Sequence, residues 1–141
     1  MNYLKPSPKP EYDTTDYQAK AIEVASKMAC MDGKCMAEGC GKTGLVHGVT
    51  LFAHHIIHRK YGNTATRVDN LFPVCLECHG KIHHNEKGFK AWLETKLPGL
   101  YDALWFIARA VCRLDWSEEY ERLLLEYKQR LEEKAANERG I

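Results

Sequence analysis

Four cysteines in two closely spaced pairs are the first residues of this 141-residue sequence that point to chemistry. The pairs are Cys35 with Cys40 and Cys75 with Cys78. A tight turn lets two sulfurs face one ion, and two such pairs complete a tetrahedral zinc site. Unliganded buried thiols are the alternative, which the paired spacing disfavours. We therefore predict a structural Zn²⁺ on these four residues, and core packing for the unpaired Cys30 and Cys112.

All seven histidines lie between His47 and His84, interleaved with the cysteine pairs. His79 and His83 are four residues apart on a predicted helix, so their rings project from one face and suit a single metal ion. His54 and His55 are adjacent on a predicted strand and point to opposite sides. One of them can therefore complete the metal site while the other stays free.

This division suggests metal-assisted hydrolysis of a phosphate ester. A bound metal polarises the phosphate and stabilises the leaving oxygen. A nearby metal-free imidazole can take a proton from the attacking water near neutral pH.

Three segments in sequence order resemble the motif of the HNH endonucleases, also called ββα-metal or His-Me finger nucleases. They are His54-His55-Ile56, Asn70-Leu71 and Cys75-x2-Cys78-His79-x3-His83. The preceding Cys35/Cys40 pair is similar to that of the zinc-bearing bacterial and phage variety. The resemblance covers about residues 35 to 84 and implies hydrolysis of phosphodiester bonds in DNA, duplex or branched. The setting it implies is phage or bacterial DNA processing, such as recombination, packaging or restriction.

The resemblance also implies a role for each site residue. His55 would be the general base, and Asn70 would fix the loop between strand and helix and help hold the His55 ring by hydrogen bonding. His54, His79 and His83 would bind one catalytic divalent ion, and the four cysteines a separate zinc. Mg²⁺, Mn²⁺, Ni²⁺ and Zn²⁺ are the candidate ions, and a three-histidine site favours the softer ones.

Basic residues near the motif are candidates for contacts to the DNA backbone. The net charge is only +1, but residues 32–96 carry nine Lys/Arg against six Asp/Glu, a weakly basic balance. The candidate phosphate-binding residues are Arg59, Lys60, Arg67 and Lys81. Solvated loop charges are an equally good interpretation. His47 and His58 have no partner at ligand spacing, and His84, next to His83, points off the ligand face, so all three are taken as non-ligands.

Two other functions fit parts of the pattern. The first is a zinc-stabilised DNA-binding module that has lost catalysis, although such a module needs no spare imidazole. The second is a structural zinc protein whose histidines all serve one cluster. It would bind one ion per chain, whereas the nuclease would bind two.

The elements that must position these residues predict an α+β protein. We expect a flexible arm over residues 1–16, a zinc-stapled ββα nuclease domain over 17–97, and a helical extension over 98–141. The two strands are predicted at Leu45–His47 and Thr50–Ile57, with Gly48 as a hairpin turn between them. The ligand helix lies in the second part of Val74–His84.

The remaining apolar patterns predict helices. These run from Tyr17 to about Met31, from Gly88 to Leu97, from Leu100 to Leu114, and from Ser117 to about Glu138. The C-terminal helices could pair with a second copy or a phage partner protein, or pack on their own domain. No apolar run reaches the roughly 20 residues of a membrane span, so we expect a soluble cytoplasmic protein without a membrane partner.

Overall fold

The computed structural model describes residues 16–139. The predicted N-terminal arm, apart from its last residue, lies outside this range. None of the described helices is both long and apolar enough to cross a lipid bilayer. The elements, in chain order, are α1 Tyr17–Ala29, α2 Gly44–His47, β1 Leu51–His55, α3 Gly62–Ala65, a 3-10 turn Val68–Asn70, β2 Leu71–Cys75, α4 Leu76–His84, α5 Glu86–Lys96, α6 Leu100–Ala108 and α7 Trp116–Glu138.

The sheet of the described chain has two antiparallel strands, β1 and β2, with Leu51 opposite Cys75 and His55 opposite Leu71. β2 runs directly into α4, so β1, β2 and α4 form a ββα unit within an α+β fold, as predicted. Alternation along β1 sends His54 and His55 to opposite faces.

The predicted strand at Leu45–His47 is wrong, because these residues form the single helical turn α2. The Thr43 side chain accepts a hydrogen bond from the Val46 N–H, and Gly48, at φ 65°, closes the turn in the left-handed region. Gly48 is therefore a helix C-cap. The partner of β1 is β2, whose first residue, Leu71, lies well beyond the predicted hairpin.

Two apolar clusters cover the two faces of the sheet. On one face, Phe72 and Val74 of β2 pack with Ile82 of α4 and Leu93 of α5. On the other face, Leu71 packs with buried residues of α1 and α7: Ala21, Val24, Ala25, Met28 and Leu123. The molecule is thus layered, with α4 and α5 on one side of the sheet and α1 and α7 on the other.

The C-terminal helices pack on the turn that follows β1. α6 ends at Ala108 and not at Leu114 as predicted, because the Asn63 amide donates hydrogen bonds to the carbonyls of Ile107 and Ala110. α7 begins one residue before the predicted start. Asp115 caps it by accepting from the Ser117 and Glu118 N–H groups.

Candidate functional site

His54, His79 and His83 converge at the junction of β1 and α4. One nitrogen from each lies within 4.8 Å of the others. The Nε2 atoms of His79 and His83 are 3.0 Å apart, and both rings have their centroids 5.3 Å from that of His54. One turn of α4 separates His79 from His83, so both rings leave the helix on one face. The structure thus brings the three predicted ligands together.

The chemistry of this cluster fits a divalent cation. His54 is 9% exposed, and burial, followed by the neighbouring histidines, lowers its pKa to about 4. Burial also lowers the pKa of His79. Neutral imidazoles are the form that binds a metal. Glu86 Oε1 lies 3.7 Å from Nδ1 of His83, on the side of the ring where carboxylates commonly orient a histidine ligand.

His55 lies on the other face of β1, separate from this cluster. Its Nε2 is 3.0 Å from the Ala65 carbonyl oxygen, which can only accept, so Nε2 carries the proton and Nδ1 the lone pair. Burial lowers the pKa of His55, with a smaller contribution from Arg59. The ring is therefore neutral at neutral pH and able to accept a proton at Nδ1.

Asn70 is fully buried and fastens the loop between the strands. Its Oδ1 accepts from the Ile57 N–H at 2.7 Å, and its Nδ2 donates to the carbonyls of Ile57 and Thr64, each at 3.0 Å. Asn70 thus fixes the loop that joins β1 to β2, and not a loop between strand and helix as predicted. The predicted hydrogen bond to the His55 ring is wrong, because the partner of that ring is the Ala65 carbonyl.

The four paired cysteines form a second cluster, with all Sγ atoms within 4.8 Å of one another. Sγ of Cys40 and Sγ of Cys75 are 4.0 Å apart, close to the edge of about 3.8 Å that Zn–S bonds of about 2.3 Å give in a tetrahedron. The backbone N–H of Cys78 is the main cause that lowers the pKa of Cys75 to about 7. Burial raises the pKa of Cys35 and Cys78. A cation would offset that burial, so the cluster is compatible with structural zinc.

The two remaining cysteines lie outside this cluster. Cys30 is half-buried at the end of α1, whereas Cys112 is exposed. The predicted core packing of Cys112 is therefore wrong.

An open cleft of about 730 Å³ runs along the exposed side of the histidines. It contains all three clustered histidines together with His55, and its opposite wall is α1, through Glu23, Lys27 and Cys30. The contribution of α1 to the cleft was not predicted from the sequence, because only the packing of α1 against the sheet places it there. Because His55 and the histidine cluster both line the cleft, one extended ligand bound there would contact both.

Of the four predicted phosphate-binding residues, Arg59 lines the cleft. Arg67 instead makes a double hydrogen bond to Asp69 at 2.8 and 3.0 Å and lines a groove beside α7. Lys81 pairs with Glu77 at 3.1 Å and borders a cavity beside the cysteine cluster. Lys60 lies with Nζ 5.3 Å from the centroid of the Tyr61 ring.

A second cavity, behind His54 and His83, adds basic residues from α5. Lys87 and Lys90 both line it. Lys87 lies next to the ligand helix in the sequence, whereas Lys90 carries no motif signal and lies near the site because Phe89 of α5 packs against the His54 ring.

Comparison with known proteins agrees with this geometry. Searches of curated proteins and of solved structures gave no significant match. Residues 35–85 match the family model described as HNH endonuclease. That range holds all four clustered cysteines, His54, His55, Asn70 and the two histidines of α4. The matched range is about a third of the chain, and over that range the chain is similar to the HNH endonuclease family.

Proposed function

We propose that this protein is a metal-dependent endonuclease that hydrolyses phosphodiester bonds in DNA. The observation that carries the proposal is that the two adjacent histidines of β1 lie in different surroundings. His54 joins His79 and His83 in a cluster that suits a cation, while His55 lies outside that cluster and its Nδ1 has no hydrogen-bond partner among residues 16–139. A zinc-stabilised binding module has no need for that second imidazole.

In the proposed mechanism, the cleft positions a phosphodiester between the histidine cluster and His55. A divalent cation bound by the cluster would neutralise charge on the scissile phosphate and stabilise the leaving oxygen. His55 Nδ1 takes a proton from water as the water attacks phosphorus. The Ala65 carbonyl, on the other side of the ring, stabilises the imidazolium that forms. Arg59 at the cleft supplies a phosphate contact that is insensitive to base sequence.

Cleavage of a supercoiled plasmid tests the proposal. The zinc-loaded protein is assayed with Mg²⁺, Mn²⁺, Ni²⁺ and Zn²⁺ in turn, beside His55→Ala. We expect the wild type to nick or linearise the plasmid and His55→Ala to lose roughly 10²–10⁴-fold in rate, the usual contribution of a general base. His84→Ala is the matched control, because His84 is an exposed histidine of α4 outside the cluster, and it should cut like the wild type.

Two outcomes contradict the proposal. Salt-sensitive DNA binding without cleavage under any ion would identify a binding module. Equal cutting by the wild type and His55→Ala would remove His55 from the mechanism. Metal content gives an independent check, since two ions per chain are expected in the wild type and one in His79→Ala.

A further inference from the structure

The turn that presents the Ala65 carbonyl to His55 is held from both sides. Before Ala65, the Thr64 carbonyl accepts a hydrogen bond from Asn70. After it, the Thr66 hydroxyl donates to Glu119 Oε2 at 2.7 Å. All three residues of the turn are buried, with 0, 0 and 4% exposure. The carbonyl that orients His55 is therefore positioned by two anchors, one within the loop and one on α7.

Glu119 is well suited to act as an anchor. Its side chain is 9% exposed, and its second oxygen, Oε1, accepts from Arg122 Nε at 2.7 Å. Burial by itself would raise the pKa of Glu119, but the hydrogen bonds from Arg122 and Thr66 outweigh it and leave the pKa below its usual range. An ionised carboxylate can only accept. The Thr66 hydroxyl must therefore point at α7, which fixes the side chain next to Ala65.

We infer that Glu119, acting through Thr66, is a positioning residue for His55. By holding the 64–66 turn, it keeps the Ala65 carbonyl within hydrogen-bond distance of Nε2, so that the lone pair stays on Nδ1 of a ring that lines the cleft. The inference rests on the proposed role of His55. It assigns part of the catalytic geometry to α7, which lies outside the matched 35–85 segment.

The geometry makes this positioning sensitive to small shifts. The Nε2 to oxygen distance is 3.0 Å, and at about 3.6 Å the contact would no longer be a hydrogen bond. A movement of well under an ångström in the turn would therefore release the ring and allow the other tautomer, which has its proton on Nδ1. Misplacement of a catalytic group by about 1 Å can cost roughly 10²-fold in rate.

Thr66→Val and Thr66→Ser separate positioning from simple stability. Valine has the shape of threonine without the hydroxyl, whereas serine keeps the donor. In the zinc-loaded protein with its activating ion, we expect Thr66→Val to lose roughly 10–100-fold in kcat with KM for DNA nearly unchanged. Thr66→Ser should recover most of the rate. Glu119→Ala should lower kcat by a similar factor. Combined with Thr66→Val it should lower kcat little further, because both variants break the same contact between Thr66 and Glu119.

The matched control is Thr95→Val. Thr95 is an exposed threonine of α5 whose hydroxyl bonds to its own helix at the Trp92 carbonyl. It should leave both kcat and KM unchanged. Thermal unfolding of every variant shows whether the chain remains folded at the assay temperature.

Imidazole ¹⁵N NMR of His55 reports on the tautomer without any need for activity. The wild type should show the proton on Nε2, Thr66→Val a mixture of tautomers, and Thr66→Ser the wild-type pattern. An unchanged tautomer with wild-type kcat in Thr66→Val would overturn the inference, as would equal losses in the valine and serine variants. If the wild type itself fails to cut DNA, the proposed function fails, whereas the NMR comparison still decides whether Thr66 positions the ring.

Discussion

At the scale of single residues, the neighbours His54 and His55 have different proposed roles, His54 as a metal ligand and His55 as the general base. The strand sends His54 towards α4, where burial and two further imidazoles surround it. It sends His55 towards α3, where the Ala65 carbonyl accepts a hydrogen bond from Nε2. Burial lowers the pKa of both rings and so favours the neutral form, while the Ala65 carbonyl fixes which nitrogen of His55 carries the proton.

Asn70 holds the loop between β1 and β2 by hydrogen bonds to its backbone, and replacing it should lower the free energy of unfolding. Asn70→Ala leaves the Ile57 N–H and two carbonyls without their buried partner. We expect a loss of roughly 3 kcal/mol in the free energy of unfolding, measured by urea denaturation of the zinc-loaded protein. Asn137→Ala, an exposed asparagine near the end of α7, should change it by no more than about 0.5 kcal/mol. Similar small effects for both variants would contradict this role of Asn70.

Glu119 makes stability depend on pH in a predictable direction. Because its pKa in the folded protein lies below the ordinary value of 4.5, its contribution is fully present above that pH. The contribution is lost as pH falls through the folded pKa. Wild type should therefore be more stable than Glu119→Gln at pH 7, and the difference should shrink below about pH 4.5. Urea denaturation at several pH values measures it. A difference independent of pH would show that the carboxylate charge contributes nothing.

At the scale of elements, the close approach of α3 to the start of α7 ties the C-terminal helices to the site. A Cβ at Gly62 would lie 2.7 Å from Cys112 Sγ and 3.1 Å from the Trp116 ring. Only a residue without a side chain allows this approach. Asn63 adds its two hydrogen bonds to the end of α6. The loop that holds His55 is thus packed against both C-terminal helices.

Gly62→Ala should therefore destabilise the protein by about 1–3 kcal/mol through overpacking, as measured by thermal unfolding. Gly80→Ala is the matched control, since nothing lies within 4 Å of a Cβ there and alanine favours the interior of α4 by up to about 1 kcal/mol. Adding Cys112→Ala to Gly62→Ala should recover part of the loss by removing the nearest atom. Equal effects of the two glycine substitutions would contradict the close packing at Gly62.

At the scale of the whole molecule, the cysteine cluster joins the segment between α1 and α2, which carries Cys35 and Cys40, to the β2–α4 junction. Cys35, Cys75 and Cys78 are buried in the same apolar cluster as Phe72 and Val74. A metal bound there would stabilise the core of the ββα unit directly. The histidine cluster opens to the cleft, so its ion can be lost with less effect on the fold.

The two clusters should therefore differ in their response to chelators. Removal of the cysteine-bound metal should cost several kcal/mol and lower Tm by about 10 °C or more, followed by circular dichroism with metal content measured in parallel. His79→Ala should lose one ion and keep Tm within a few degrees. Loss of all metal without a change in Tm would show that the cysteine cluster is not a structural site.

Some of this organisation follows from the sequence by itself. The cysteine pairs, the i and i+4 histidines of α4 and the alternation of His54 and His55 depend on spacings of five residues or fewer. Such spacings are translated directly into geometry by a turn, a helix or a strand. For this reason the ligand pairs, the longer helices and the α+β class were predictable from the sequence, whereas the choice of His54 as the third ligand came from the family resemblance.

The tertiary structure alone decided the rest. The partner of β1, the α1 wall of the cleft, the Ala65 carbonyl and the contact of Thr66 with Glu119 join segments far apart in the chain. The position of a backbone carbonyl such as that of Ala65 cannot be recognised in a sequence, because every residue has one. The residue pattern at Leu45–His47 is also typical of a strand, and it is the cap at Thr43 that selects a helical turn there. Local spacing therefore determined which residues could do chemistry, whereas non-local packing determined which of them share a cleft and what holds them there.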